Sequence, residues 1–310
     1  MSTLRTAADD YLAIRRSLGF KLRMQGRLLM DFVDYLEQAQ SETVTTDAAV
    51  EWATQPTGAS PEWHAARLGV ARRFATHLCF LDPRCEVPPR DVLPERHRRL
   101  PPYIYSADDI AALMEKARQL RPAQRAVTHE TVIGLLAVTG MRSGEVIRLN
   151  RGDVDLVAAT LRVIDTKFGK SRELSLQATT VNALETYARL RDECWPGRSS
   201  PSFFLSSRGK RMSQSTLNST FFQLVRAAGL EPDPTSMARR PRPHDLRHTF
   251  AVTTLVAWYR ADEDVGARLP ALSAFMGHVE PKDTYWYFSA VPELMALASE
   301  RVQRRKEARP

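Results

Sequence analysis

Six prolines fall between Pro83 and Pro102 in the stretch "DPRCEVPPRDVLPERHRRLPPYIY". Proline fixes φ and lacks an amide donor, so no regular helix or central strand survives that density. The stretch reads as an extended connector, and the chain must divide around it. The division expected is a helical domain over 1–82, a connector over 83–104 and a second domain over 105–310. Arg84, Arg90, Arg96, Arg98 and Arg99 stud the connector, which suits it to lie along a sugar-phosphate backbone.

The first part is helical by its periodicity. "MQGRLLMDFVDYLEQA" sets Leu29, Phe32, Val33, Tyr35 and Leu36 at three-four spacing. "TTDAAVEWAT" opens on a capping threonine and "SPEWHAARLGVARRFATHLCFL" on Ser-Pro-Glu, both helix starts. With "DDYLAIRRSLGF" ahead of them, four helices on short loops make a small bundle. Its polar faces carry Arg15, Arg16, Lys21, Arg23 and Arg27, then Arg67, Arg72 and Arg73. The excess of one sign makes them, Arg72 and Arg73 above all, candidates for phosphate contact.

The second part is mostly α with a small antiparallel β-sheet. "HETVIGLLAVTG" reads as a buried helix, and "GDVDLVAATLRVIDTKFGKSRELSLQ" as strands around a hairpin tip at "KFGKS". Helices follow, from "TTVNALETYARL" to "VPELMALASERVQ". No repeat or low-complexity tract appears.

The whole chain holds 44 Lys and Arg against 36 Asp and Glu, a formal charge of +8 and a pI near 9.6. That surplus points to a polyanion, most often nucleic acid. Cys79, Cys85 and Cys194 form no metal-ligand spacing and suit a reducing cytoplasm. The first residues show no signal-peptide core, and the longest apolar run, "VIGLLAV", is far too short to span a bilayer. A cytoplasmic, nucleoid-associated protein is expected, with no membrane partner.

Three short pieces carry chemistry in order: "TGMRSGEVIRL", "HDLRH" and "MGHVEPKDTYWYF". In the last, Tyr285 and Phe288 share a helical face and Tyr287 points away from both. Tyr285 is the rival to Tyr287 for any chemistry here, although its spacing favours a core aromatic paired with Phe288; Trp286 also reads as packing. Something other than core burial is expected to hold Tyr287.

This pattern resembles the tyrosine recombinase/integrase family, which includes lambda integrase, Cre and the Xer recombinases. Arg142 and Glu145 stand in "TGMRSGE", His244 and Arg247 in "HDLRHTFA", and His278 in "MGH", with Met276 where leucine is usual. Nine residues beyond His278 lies Tyr287, the family's nucleophile position. The family's hairpin lysine falls on Lys167, with Lys170 as the alternative. The resemblance implies a SAM-like, core-binding N-terminal domain and a mixed α/β tyrosine recombinase catalytic domain. It further implies double-stranded DNA with specific sites as partner, and a homotetramer in the synaptic complex. Partner recombinases or accessory proteins are a further option.

The chemistry explains the residue types. Arg142 and Arg247 offer permanently charged forks to the non-bridging oxygens of a phosphodiester, with no metal or other cofactor. Glu145 would orient the Arg142 guanidinium. His244 and Arg247, three apart, project from one helical face. A phenol ionises at about pH 10, so a base such as His244 must take its proton. Lys167 would protonate the departing 5′-hydroxyl, and His278 would bond a phosphate oxygen. The product would be a 3′-phosphotyrosyl ester, which rejoins to a 5′-hydroxyl without ATP.

His244 and His248 also sit four apart, as in zinc proteases, but Asp245 stands where such a site needs glutamate. Asp245 and His248 are read as supporting or packing groups. Arg208, Lys210 and Arg211 precede a helix and form a candidate DNA clamp. The terminal helix around Leu294, Met295 and Leu297 either docks on a neighbouring protomer or folds back. Two other readings compete: a type IB topoisomerase that only nicks and reseals, and a DNA-binding regulator without catalysis.

Overall fold

The computed structural model describes residues 3–93, 101–164, 171–197, 200–232, 239–277, 282–290 and 292–307. The chain forms two compact units, Met1–Arg99 and Leu100–Pro310.

Among the described residues, four helices build the first unit: α1 (Thr3–Ser17), α2 (Arg23–Gln38), α3 (Thr46–Thr54) and α4 (Pro61–Leu78). The Thr45 hydroxyl accepts from the Ala48 amide and the Ser60 hydroxyl from the Trp63 amide, so two of the orphan donors at helix starts are satisfied. Leu29, Phe32, Val33 and Leu36 close onto Trp52, Leu68 and Phe74 in one core. Arg67 is not the solvent-facing cation its sequence suggests. It is buried, lies 3.9 Å over the Trp52 ring, donates to the Trp52 carbonyl at 2.9 Å and pairs with Asp31. Burial lowers its pKa, with Asp31 working against that. Arg72 also turns inward, donating to the Pro88 and Pro89 carbonyls at 2.8 and 2.7 Å. With Glu86 donating its amide to the Val44 carbonyl, the start of the connector lies docked on this unit.

In the second unit α5 (Ala107–Arg118) begins in a reciprocal cap between Ser106 and Asp109. The helix α6 (Ala123–Thr139) is buried on most sides, as its apolar run requires. After α7 (Ser143–Arg148) come β1 (Val154–Asp155), β2 (Thr160–Val163) and β3 (Arg172–Ser175), antiparallel in that order. Leu161 faces Leu174 across the ladder, and these with Val163 bury one side. Then follow α8 (Ala178–Cys194), α9 (Gln214–Ala227), α10 (Pro243–Arg260), α11 (Val265–Met276), α12 (Lys282–Ala290) and α13 (Pro292–Glu307).

Two cores share this unit. One joins α5 to α9 and the sheet; the other joins α10 to α13. The terminal helix α13 folds back, with Leu294 buried beside Leu255 and Leu269, and Glu293 paired with Arg260. Where the cores meet, α6 ends at Gly140, whose φ is 59°. A Cβ there would stand 2.5 Å from Phe250 Cδ1 on α10. Gly140→Ala should therefore cost at least about 2 kcal/mol from the left-handed backbone and the displaced ring together. A thermal melt should show a fall of about 4–8 °C.

Candidate active site

The site gathers at that seam. Arg142 follows the turn at Gly140 and stands immediately before α7, at the start of that helix. Its Nη1 donates to Glu145 Oε1 at 2.9 Å and its amide to Oε2 at 3.0 Å. Its Nη2 donates to the Gly277 carbonyl at 3.0 Å. Glu145 itself is buried, and burial alone would raise its pKa. Arg172 on β3 and then Arg142 outweigh that, and hold the carboxyl at about 2.

Arg247 is the deeper cation, only 2% exposed. Its Nη1 donates to the Gly140 carbonyl at 2.7 Å, while Nη2 is buried with no hydrogen-bond partner among the described residues. Burial, and then the like charge of Arg142, lower its pKa to about 10, against the pull of Tyr287 and Glu145. Two guanidinium groups, mutually repelling, with one inner donor unspent, make a cradle for an anion.

Both arginines thus rest on the carbonyl of a glycine that ends a helix in the left-handed conformation: Gly140 after α6 and Gly277, with φ 71°, after α11. Sequence reasoning quoted both glycines inside their motifs without giving them this role. It also passed over Arg172, whose Nε donates to the Phe275 carbonyl at 2.8 Å. The signals were present: a glycine just past each helix end, and a charged residue on the inner half of a strand pair.

On α10, Asp245 caps the helix start by accepting from the Arg242 amide at 2.8 Å, and burial raises its pKa. His244 is exposed, edge-on to the His248 ring at 4.8 Å between centroids. His248 Nδ1 and Tyr287 Oη share a hydrogen bond at 3.1 Å. That pairing gives His248 a place beside the phenol that the sequence reading reserved for His244.

The aromatic segment corrects a second expectation. Tyr285, read as a core residue, is 58% exposed, although its ring lies 6.4 Å from that of Phe288. Tyr287 is the buried one, packed with Ala251, Leu255, Leu269 and Leu294, and its hydroxyl reaches His248. Trp286 and Phe288 pack against the same core.

The remaining candidates divide. Arg211 does not face solvent as a clamp would: it donates to the Ile147 carbonyl at 2.9 Å and to Asn150 Oδ1 at 2.6 Å, securing the end of α7. Arg73, Arg208 and Lys210 are exposed. Arg98, Arg99, Lys167, Lys170 and His278 lie outside the described residues. Among the described residues no group of three or more His, Cys, Asp or Glu could hold a metal ion. No helix there is long and apolar enough to cross a membrane.

The sequence pattern of the phage integrase family matches residues 104–293. A Sinorhizobium fredii protein provisionally named integrase/recombinase y4rB is 42% identical over 100% of both chains. Tyrosine recombinase XerC of a Roseiflexus species is 32% identical over 54% of this chain and 49% of its own length. Among solved structures, the Tn1549 transposon integrase in complex with a circular intermediate DNA superposes with a TM-score of 0.66 at 17% identity, covering 97% of this chain and 100% of that one. The XerA recombinase superposes with a TM-score of 0.52 at 22% identity, covering 97% and 98%. These likenesses extend the fold over nearly the whole chain.

Proposed function

The chain belongs to the phage integrase family, and from that premise we propose that it is a site-specific tyrosine recombinase acting on double-stranded DNA of a mobile element. The observation that carries this reading is the arginine pair. Arg247 buries a donor with no partner among the described residues beside Arg142, a geometry that a phosphodiester's non-bridging oxygens would complete.

The Tyr287 oxygen attacks phosphorus, the bond to the 5′-oxygen breaks, and a 3′-phosphotyrosyl ester forms. The 3.1 Å contact supports giving the phenol's proton to His248, which leaves exposed His244 to bond a phosphate oxygen. Lys167 delivers a proton to the leaving 5′-hydroxyl, and His278 adds a donor to the phosphate; both roles rest on the motif match. The ester keeps the energy of the broken bond, so a second 5′-hydroxyl reverses the step without ATP. Exchange between two duplexes cuts four strands, and one nucleophile per chain calls for four chains. Exposed Arg73, Arg208 and Lys210 remain candidates for backbone contact, whereas Arg72 and Arg211 spend their donors within the protein.

Duplexes carrying the sites that footprinting maps, nicked so that the cleaved end diffuses away, test this. Denaturant-stable protein–DNA adducts together with strand exchange between two intact sites are expected. Relaxation of supercoils without exchange would favour the topoisomerase reading, and binding without adduct the regulator.

A further inference from the structure

Glu145 is a buried carboxylate at the centre of the site, and two neighbouring arginines occupy its oxygens. Arg142 takes Oε1 from one side at 2.9 Å. Arg172 takes both oxygens from the other, Nη2 to Oε2 at 2.8 Å and Nη1 to Oε1 at 3.3 Å. The third arm of Arg172, Nε, donates to the Phe275 carbonyl in the last turn of α11. A Cβ on Gly277 would come within 2.6 Å of its Nη1, so the turn that leads to His278 is moulded around this guanidinium. Gly277 in turn gives its carbonyl to Arg142. A closed circuit therefore runs from Arg172 through Glu145 to Arg142, through Gly277, and back along α11.

We propose that Arg172 is a positioning residue of the cleavage site: it fixes Glu145 and the end of α11 together, and so sets where the Arg142 fork meets the phosphate. The inference rests on the recombinase reading. Lysine could supply the charge at this place but not three donors in one plane. Arg172 sits at the head of β3, two positions beyond Lys170 in the sequence.

The charges facing Glu145 come from every side. Arg142 and Arg148 stand on its own helix, Arg162 and Arg172 on the sheet and Arg247 on α10, with Asp153 in the cleft that Arg148 and Arg162 share with it. Of these, Arg172 lowers the Glu145 pKa most, and what it opposes is burial. Without Arg172, Glu145 should hold a proton at a higher pH, and a neutral acid orients Arg142 poorly. The sign follows: the carboxylate is lost as pH falls, so the defect should deepen toward acid.

Single-turnover adduct formation on a nicked duplex is the measurement, from pH 5 to 8, with duplex affinity read in parallel. Arg172→Gln should bind DNA within about threefold of wild type and cleave roughly 10- to 100-fold more slowly at pH 8. The ratio of wild-type to variant rate should grow as pH falls. Adding Glu145→Gln, which cannot titrate, should make that ratio level across pH, and Arg172→Lys should also restore a level ratio while remaining slow. A loss equal at every pH in Arg172→Gln, or no loss at all, would overturn the proposal. A wild-type protein that forms no adduct would instead remove the recombinase reading on which it stands.

Discussion

Tyr287→Phe should bind its duplex with unchanged affinity and form no covalent adduct, while Tyr285→Phe forms the adduct at the wild-type rate. The substitution removes one oxygen. If that oxygen is the nucleophile, no neighbouring group replaces it, because Tyr285 is exposed on another face of α12 and makes its ring contact with Phe288. Affinity should persist because, on the proposed reading, the two arginines and not the phenol would meet the phosphate charge. The fold should persist too. The Tyr287 ring fills the core between α10, α11 and α13, and phenylalanine keeps that volume. What is lost is the bond to His248, worth about 1 kcal/mol, or roughly 2–4 °C in a melt. Gel analysis under denaturing conditions reads the adduct. If the Tyr285 variant lost it and the Tyr287 variant kept it, the nucleophile would be the other tyrosine.

The local placement of the candidate residues was legible from the sequence because residue type and helical phase carry it. His244 and Arg247 three apart must share a face, and Arg142 just after a helix-ending glycine must sit at the start of the next helix. Leu161 and Val163 alternate along β2, and with Leu174 on β3 they fill the inward side that a period of two sets for a strand. What stayed hidden is long-range. A helical wheel shows that Tyr287 diverges from Tyr285 but not which face is covered, and α13 supplies that cover from later in the chain. Backbone carbonyls have no residue signature, so the two glycine oxygens that hold the arginines could not be read as partners. Arg172 reaches Glu145 across 27 positions, a separation no local period reports. Surface charge misled at Arg67, Arg72 and Arg211 for one reason: a guanidinium can spend its donors on carbonyls of its own protein, and a count of cations does not show which do.

Arg247→Lys should cut adduct formation by about 10²–10³ and should do so more severely at high pH. A lysine can fill either the place against the Gly140 carbonyl or the place of the unspent Nη2, but its single nitrogen cannot serve both. Electrostatics add the pH dependence. Arg247 ionises at about 10 because burial, then Arg142, work against its charge. A base is charged only below its folded pKa, so arginine stays cationic to beyond pH 9. An ordinary lysine starts at about 10.4, lower than arginine, and the same burial and the same neighbour must bring it down further. As pH rises through that lowered value, the variant loses the cation that should meet the phosphate while the wild type keeps it. The ratio of wild-type to variant rate should therefore climb between pH 6 and pH 9, the reverse of the trend expected for Arg172→Gln. A ratio that stays level would mean that the cost lies in the shape of the fork alone, and that burial of this site does not govern its charge.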